Sequence, residues 1–456
     1  MPTIGCIVRG SVLGDGIDSR LGGEMDKPLS PTRADRLLET FQSTAQLVRE
    51  VGGARQLIDD EHFSGDAISL RGQKLGNFGL CSYLSLGEDH RVREGAHRAI
   101  EAYGTSFSSS LAYQGIPLYR DLRERFERIF DANVVVAPTT TLAHFSALPI
   151  MVRPGDVAYV DAQAHASVLA ATQLLLASGV PVKSIRHGDL AKMESVLEED
   201  EGEGRIWLLV DGVYSMHGDT APGEELAALL DRYPRLHIYC DDAHGFAWDG
   251  QFGRGQYLKR TGWHERLVVV VGLAKGFGSM GGVIATPDGD LAELVELCGP
   301  PLTFGGPIPP PTLGASIVAA DILLSDELPH LQSELMKRID LVNTMSTEMS
   351  LGLSDRSRTP LWFFEVGSLE DTAELFVAMR DAGFFLNVAA FPAVPHRHAG
   401  LRFTVTTQNP VSQIEDMLTR LKEKSLEMFG ETDIEIDIDR VASSDDQSKM
   451  SRSKGL

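Results

Sequence analysis

Three segments place lysine, aspartate and histidine directly after short apolar runs. They are VDGVYSMHGD (Val210–Asp219), CDDAHG (Cys240–Gly245) and GLAKGFGSMGG (Gly272–Gly282). Lys275 follows the apolar run VVVVGLA, where a solvated lysine gains nothing. A desolvated lysine beside a cation is a competent Schiff-base nucleophile. Taken alone, however, Lys275 is more simply a surface lysine whose stem lies along apolar residues.

The aspartates and histidines of these segments extend the same chemistry. Asp241 and Asp242 follow the run HIYC, and a buried carboxylate is costly unless it is paired. One interpretation is a helix cap. The other is a partner for a protonated ring nitrogen, as enzymes that use pyridoxal 5′-phosphate (PLP) require. His244 would then reach the phenolic oxygen of the ring, and His165 would stack on its face. Each histidine alone is more simply structural, so the hypothesis depends on the combination.

These residues need a sheet whose strand ends meet at one edge. Short apolar runs alternate with amphipathic segments, which predicts an α/β fold with a mostly parallel central sheet covered on both faces by helices. The runs are NVVVAP, DVAYVDA, VKSIRH, RIWLLVDG, HIYCDD and RLVVVVGLA. Beyond the three prolines at 309–311, a long helical stretch leads to strand-like LWFFEV, FFLNVAAF and LRFTVT, separated by helical segments. This region predicts a smaller α+β domain.

The chain is therefore expected to divide into four parts. These are an N-terminal arm and helix (1–60), a large cofactor-binding domain (61–310), a small C-terminal domain (311–430) and a polar tail (431–456). The helix is predicted to run from about Ser30 to about Glu50.

Composition excludes several classes of function. A net charge of −22 argues against a nucleic-acid partner, and the sequence has no apolar run long enough to span a membrane. The four cysteines show no CxxC spacing, which argues against a zinc site or a disulfide framework and favours a reducing compartment, the cytoplasm. No metal is expected.

The motifs HAS, DGVYSMHGD, DDAHG, GRG and KGFGSMGG occur in an order and at a spacing that resembles the α-oxoamine synthases. These are fold-type-I PLP enzymes and include aminooxononanoate synthase, aminolevulinate synthase, aminoketobutyrate ligase and serine palmitoyltransferase. The resemblance runs from about Asn77 to about Leu421. It implies that Lys275 binds PLP as a Schiff base, that Asp241 pairs with the pyridine nitrogen, and that Ser215 lies close to the cofactor.

The resemblance also assigns the two histidines and a substrate side. His244 matches the residue near the phenolic oxygen, and His165 matches the histidine that stacks on the ring. Arg402, in GLRFTVT, matches the arginine that holds the amino-acid carboxylate, a task suited to a guanidinium fork. Asp211 matches an acidic residue near the substrate. Cys81 replaces an asparagine close to the substrate, although it is more simply a small buried apolar residue. Three further positions depart from the family pattern: Leu111, Tyr119 and His217.

The phosphate side also departs from the family. Gly272 replaces a hydroxyl residue three positions before the lysine, and Gly305 and Gly306 replace a Thr/Ser pair that reaches the phosphate from the neighbouring subunit. Such hydrogen bonds are worth roughly 1.5–3 kcal/mol each, so other donors should compensate. We expect Thr140 and Thr141 to supply hydroxyl and amide donors at a helix N-terminus.

The function implied is the decarboxylating condensation of an amino acid with an acyl thioester, delivered by coenzyme A or a carrier protein, to give an α-amino ketone. Family members are homodimers with a shared active site, and the same is expected here. Two alternatives remain open. One, motivated by the departures, is another PLP reaction, such as transamination or a synthase reaction with a different amino donor. A non-catalytic PLP-fold subunit is the other, but the retained Lys275, Asp241, His165 and Arg402 weigh against it.

Overall fold

The computed structural model of the protein describes residues 33–353 and 358–430. The expectations for the N-terminal arm and the polar tail therefore fall on residues outside the described part. The predicted N-terminal helix is present as α1 (Arg33–Glu50). No helix within the described ranges has both the length and the apolar composition needed to cross a membrane.

A seven-stranded sheet forms the centre of the molecule. Its strands are β3 (Asn133–Ala137), β4 (Val157–Asp161), β5 (Val182–Ile185), β6 (Ile206–Asp211), β7 (Leu236–Asp241), β8 (Leu267–Gly272) and β9 (Gly282–Thr286). Their spatial order is β3-β9-β8-β7-β6-β4-β5. Six strands run parallel, and β9 lies antiparallel between β3 and β8. The predicted α/β fold with a mostly parallel sheet is confirmed, although β9 was not predicted.

Helices cover both faces of this sheet. They are α2 (His90–Tyr103), α3 (Pro117–Phe130), α4 (Thr140–Met151), α5 (Ala166–Ala177), α6 (Leu190–Glu199), α7 (Gly223–Arg232), α8 (Gln256–Thr261), α9 (Gly289–Cys298) and α10 (Pro300–Phe304). Alternate residues of a strand enter different cores. In β6, Leu208 joins the core on one face while Trp207 and Leu209 join the core on the other. This two-sided burial explains why inner strands such as β6 and β8 are almost continuously apolar.

The other described residues build two small sheets and, besides α1 and two single-turn 3-10 helices, four α-helices. One sheet pairs β1 (Ala67–Leu70), β2 (Gln73–Asn77) and β11 (Phe384–Phe385), and the other has the order β10-β13-β12, with β10 (Leu361–Gly367), β12 (Asn387–Ala389) and β13 (Ala399–Thr404). The helices are α11 (Pro310–Leu323), α12 (Leu328–Glu348), α13 (Leu369–Asp381) and α14 (Val411–Phe429). The long helical stretch predicted after residue 311 is thus two helices, and FFLNVAAF forms two short strands.

The loop that carries Lys275 is closed at its base by β8 and β9. Gly272 pairs with Gly282 across the two strands. Inside the loop, the Leu273 amide donates to the Gly281 carbonyl at 3.0 Å, and the Ser279 amide donates to the Leu273 carbonyl at 2.8 Å. The Lys275 backbone is therefore held by a strand pair and by hydrogen bonds within the loop.

His187, just after β5, joins two other chain segments. Its Nδ1 lies 3.0 Å from Asp161 Oδ1, and its Nε2 lies 2.7 Å from Asp219 Oδ2. Its ring packs edge-on against Tyr214 at a centroid distance of 4.4 Å. Burial alone would lower the pKa of His187, but the hydrogen bonds and charges of the two carboxylates outweigh it and raise the pKa to about 10. The imidazolium therefore ties the segment after β6 to the end of β4.

We predict that His187→Gln destabilises the protein most at moderately acid pH. A histidine whose folded pKa is raised contributes stability that is fully present below its unfolded pKa of about 6.5 and is lost as pH rises toward the folded value. Breaking this half-buried charge cluster should cost on the order of 3 kcal/mol. Urea unfolding at about pH 6 and about pH 9.5 should show the difference shrinking at the higher pH. His97→Gln, at an exposed position of α2, is the matched control. An equal loss at both pH values would assign the effect to packing instead.

Candidate active site

The ends of β6, β7 and β8 bring the residues singled out by sequence to one edge of the sheet. Asp211 and Asp241, the last residues of β6 and β7, are register partners. Lys275 lies three residues beyond the end of β8 and is half-buried. Its charge influences the pKa values of both aspartates. Residues that are far apart in the sequence are thus brought together at the ends of neighbouring strands.

Asp241 is an ionised carboxylate in the protein interior. The Ala243 amide donates to its Oδ1 at 3.0 Å, and Nε2 of His144 lies 2.9 Å from its Oδ2. Burial opposes ionisation, but the interaction with His144 and the charge of Lys275 outweigh it and lower the pKa of Asp241 to about 2. Asp241 can therefore pair with a cation throughout the physiological pH range.

The pKa of Asp211 is shifted in the opposite direction. Burial and the neighbouring charge of Asp241 raise the pKa of Asp211 well above its usual range. Its Oδ1 accepts a hydrogen bond from the His165 amide at 3.1 Å. The pKa values of two adjacent carboxyl groups are thus shifted in opposite directions by their surroundings.

Asp242 is structural and realises the capping alternative. Its Oδ2 accepts from the Tyr257 amide at 3.0 Å, at the start of α8, and burial raises its pKa to about 8. Glycines surround its carboxyl group. A Cβ added to Gly212, Gly245 or Gly255 would come within 2.2, 2.0 or 2.3 Å of its oxygens. The capping interpretation therefore applies to Asp242, and the pairing of Asp241 with a ring nitrogen stays a prediction.

His244 is buried and is held by an aromatic residue that sequence analysis did not single out. The Tyr83 hydroxyl lies 2.8 Å from its Nδ1. Burial and the positive charges of Lys275 and Arg402 lower the pKa of His244 well below its usual value. The imidazole is consequently neutral, and in the tautomer in which Nδ1 accepts from Tyr83, Nε2 carries the proton.

Arg402 on β13 is a buried guanidinium, 7% exposed. Its Nε donates to the Ser215 carbonyl at 2.6 Å, and its Nη2 contacts Cys81 Sγ at 3.4 Å. Burial would raise the pKa of Cys81, but the charges of Arg402 and Lys275 outweigh it and lower that pKa. Among the described residues, no carboxylate lies within ion-pair distance of Arg402. A buried cation of this kind favours an anionic ligand.

His165 lies at the mouth of the cluster, exposed, at the N-cap of α5. The Ser167 hydroxyl donates to its Nδ1 at 2.6 Å, which fixes the ring and leaves Nε2 to carry the proton. The Ser215 contact with Arg402 uses a backbone carbonyl. The predicted residues lie close enough for their charges to act on one another, and they form one cluster of Lys275, Asp241, Asp211, His244, Arg402 and His165.

Thr140 begins α4 and lies against the base of the Lys275 loop. A Cβ added to Gly272 would come within 2.7 Å of Thr140 Oγ1, and a Cβ added to Gly282 would come within 2.8 Å of Thr140 Cα. The Thr140 hydroxyl thus occupies the space that a side chain at residue 272 would fill. Thr141 is exposed, and no atom lies within 4 Å of a Cβ added to Gly306.

Sequence analysis missed two residues of this cluster, His144 and Tyr83. His144 stands in the apolar helix sequence TTTLAHFSAL, where a histidine resembles a core residue. The available signal was its position four residues after Thr140, which places both side chains on one face of a helix. Tyr83 lies within the CSYLSL segment that contains Cys81, and nothing in its spacing indicated a contact with His244.

The donor set fits PLP. A protonated ring nitrogen needs an ionised carboxylate, which Asp241 provides, and an aldehyde needs a lysine amine, which Lys275 provides. The first amides of α4 lack partners within the helix and, with the Thr140 hydroxyl, form a site suited to a phosphate.

Comparison with known sequences identifies the family. The family model for class I and II aminotransferases matches residues 76–421. The 8-amino-7-oxononanoate synthase of Beijerinckia indica subsp. indica is 30% identical over 80% of this chain and 92% of its own length. The enzyme of that name from Geobacter metallireducens is 31% identical over 72% of this chain and 83% of its own.

Solved structures share the fold. A serine palmitoyltransferase from S. paucimobilis, solved with a PLP–myriocin aldimine, has a TM-score of 0.79 at 20% identity and covers 86% of this chain and 99% of its own. The 8-amino-7-oxononanoate synthase of Francisella tularensis has a TM-score of 0.65 at 19% identity and covers 77% of this chain and 97% of its own. The chain therefore belongs to the class I and II aminotransferase family and, within it, to the α-oxoamine synthases.

Proposed function

We propose that the protein is a PLP-dependent C-acyltransferase that joins an amino acid to an acyl thioester, with loss of CO2, to give an α-amino ketone. The observation that carries this proposal is the pair of cations at one thiol. Arg402 contacts Cys81 Sγ at 3.4 Å, and the charge of Lys275 also acts on that thiol. A cation for a carboxylate and an amine for an aldehyde are thus both present in a buried site.

The cofactor would be held by residues of four elements. Lys275 would bind its aldehyde carbon covalently, and Asp241 would pair with its ring nitrogen. His165 would stack on the ring, and His244 would donate from Nε2 to the phenolic oxygen, since its Nδ1 is taken by Tyr83. Bound PLP supplies an electron sink for a carbanion at the amino acid Cα.

Arg402 would hold the carboxylate of the amino acid. Its Nε donates to the Ser215 carbonyl and its Nη2 contacts Cys81 Sγ, so Nη1 would be the part of the fork that is left for an anion. The guanidinium is already fixed by these contacts, and little side-chain entropy is lost on binding. Asp211, with its raised pKa, would present a neutral carboxyl group that can donate a hydrogen bond to the substrate or cofactor.

Lys275 Nζ would accept the proton from Cα once the amino acid has taken its place on the cofactor. Asp241 keeps the ring nitrogen protonated meanwhile. Cα then forms a bond to the thioester carbonyl carbon, the C–S bond breaks, and the sulfur leaves as a thiol after gaining a proton. The bond from Cα to the carboxylate breaks to release CO2, and Cα regains a proton. The balanced products are the α-amino ketone, CO2 and the free thiol.

The experiment that tests this proposal follows thiol release. With PLP bound, each amino acid is supplied with acyl-CoA thioesters, and free thiol is measured with a thiol reagent. We expect release that depends on one amino acid. Lys275→Ala should lower the rate by at least the 10²–10⁴-fold that a positioned general base provides, at about neutral pH.

Lys259→Ala is the matched control, since Lys259 pairs with Asp249 on the exposed side of α8, and it should retain full activity. Amino-group transfer to a keto acid without thiol release would refute the condensation and favour transamination. Failure of the wild-type protein to gain the visible absorbance of lysine-bound PLP would favour a non-catalytic subunit.

The phosphate of PLP would lie at the N-terminus of α4, with the Thr140 hydroxyl and the amides of Thr140 and Thr141 as donors. The Thr140 hydroxyl lies where a side chain on Gly272 would lie. A hydroxyl group from helix α4 would thus take the place of the one that the family has at the end of the strand. It offsets the loss of the family hydroxyl at residue 272.

We predict that Thr140→Val weakens PLP binding about 10- to 100-fold, because a hydrogen bond to a charged group is worth roughly 1.5–3 kcal/mol. Gly272→Ser should bind no better than the wild type, since its Cβ would press on Thr140 Oγ1, 2.7 Å away. The double variant Thr140→Ala with Gly272→Ser should recover most of the affinity. Absorbance titration with PLP measures all three. Full affinity in Thr140→Val would contradict this assignment.

A second copy of the chain would complete the active site. Tyr113 is 83% exposed and Phe304 is 85% exposed. Their segments are joined by a hydrogen bond from the Ser110 hydroxyl to the Thr303 carbonyl. Phe304 directly precedes Gly305, in the segment that the family resemblance places beside the neighbouring subunit's cofactor. Large exposed aromatics of this kind mark an association surface.

We predict that Phe304→Asp converts a homodimer into a monomer, because a carboxylate cannot be buried in an apolar interface without a partner. Sedimentation velocity measures the mass. Leu176→Asp, at a 47% exposed position of α5, is the control and should remain dimeric. A wild-type protein that sediments as a monomer would rule out the shared site.

We place the enzyme in the cytoplasm. The cysteines that the structure describes, Cys81, Cys240 and Cys298, are all free thiols, which suits a reducing compartment.

A further inference from the structure

We propose that His144 is a positioning residue that holds Asp241 ionised and oriented toward the cofactor, as the middle member of a buried chain formed by Tyr239, His144 and Asp241. This inference rests on the proposed function, in which Asp241 pairs with the ring nitrogen. It extends that function by a residue that makes no contact with substrate itself.

The three hydrogen-bonded side chains are buried. His144 is 0% exposed. Its Nε2 lies 2.9 Å from Asp241 Oδ2, and its Nδ1 lies 2.8 Å from the hydroxyl of Tyr239, which is also 0% exposed. Tyr239 and Asp241 are two residues apart on β7, so their side chains leave the same face of the sheet. His144 bridges them from α4.

The direction of the hydrogen bonds follows from the chemistry of the three groups. An ionised carboxylate only accepts, so His144 donates to Asp241 from Nε2. Burial raises the pKa of Tyr239 well above its usual value, and its hydroxyl keeps the proton. In the arrangement that uses every proton in a hydrogen bond, Tyr239 donates to Nδ1 and the Nε2–H group donates to Asp241. Buried chains of this kind polarise and rigidify their members.

Helix α4 carries Thr140 as well as His144. Thr140 and His144 are four residues apart and lie on one face of the helix. Thr140 faces the end of β8 at Gly272, and His144 faces the end of β7. One helix would thus set the phosphate donor and the orientation of the carboxylate together.

The test measures PLP affinity as a function of pH, which simple packing would not change. Asp241 is faced by His144 from α4, Asp211 from β6, Lys275 from the loop after β8 and His165 from the start of α5. His144→Leu removes only the first of these. The pKa of Asp241 should then rise, because burial is no longer opposed by that donor. Affinity should be about 10- to 100-fold lower near neutral pH.

The loss of PLP affinity in His144→Leu should become larger as pH falls toward about 5, since a carboxylate is largely protonated below its pKa and that of Asp241 would be raised. The wild-type affinity should change much less over the same window. His144→Gln, which retains an N–H donor, should recover most of the affinity. Ser146→Ala, a buried position of α4 whose hydroxyl donates to the Leu142 carbonyl, is the matched control and should behave as the wild type.

Tyr239→Phe provides an independent test if His144→Leu does not fold. It removes one hydroxyl and should lower PLP affinity several-fold, with the same steepening at low pH. Unchanged affinity in both variants, or a loss that is the same at every pH and in His144→Gln, would overturn the inference. Failure of the wild-type protein to bind PLP would instead overturn the proposed function, so the two failures are distinguishable.

Discussion

The structure depends on keeping one carboxylate ionised in a dry interior. Asp241 ends a strand that is buried along most of its length, where charge is strongly disfavoured. Its ionisation is maintained by the Ala243 amide, the His144 ring and the nearby charge of Lys275. Asp211, one strand away, accepts a hydrogen bond from the His165 amide but has no imidazole beside its carboxyl group, and burial with the charge of Asp241 raises its pKa. The difference between the two carboxyl groups is therefore created by their neighbours, not by their residue type.

The positions of several glycines are explained by polar groups that fill the space beside them. Asp242 is enclosed by backbone at Gly212, Gly245 and Gly255, where any Cβ would overlap its oxygens. Gly272 is small because the Thr140 hydroxyl lies in its side-chain space. The glycines in and around the motifs thus record where another residue's polar group must fit, and a sequence comparison that counts them only as flexible positions would miss that information.

Much of the framework was predictable because the physics is local. The inner parallel strands are nearly continuous apolar runs, since both of their faces are buried, and they were predicted from that property, whereas the edge strand β5 (VKSI) has exposed residues. β9 was missed because its first residues continue the glycine-rich Lys275 segment, and the strand has the antiparallel direction that no periodicity reveals. Lys275, Asp241 and Arg402 could be named from spacing and resemblance. Tyr83 could not, because its contact with His244 joins residues 161 positions apart, and for His144 the spacing to Thr140 indicated a shared helix face but not the contact with Asp241, 97 positions away.

The closed loop of Lys275 has a consequence for the rate of proton transfer. Its backbone is pinned by the Gly272–Gly282 pair and by hydrogen bonds from Leu273 and Ser279. In the proposed function, the amine moves away when an amino acid takes its place and returns to the Cα proton. With the main chain held, that displacement would be made by rotations about the four-carbon side chain, which in exposed residues occur in picoseconds to nanoseconds, whereas loop rearrangements take nanoseconds to microseconds. The proposed exchange of the amine would therefore need no rearrangement of the loop backbone.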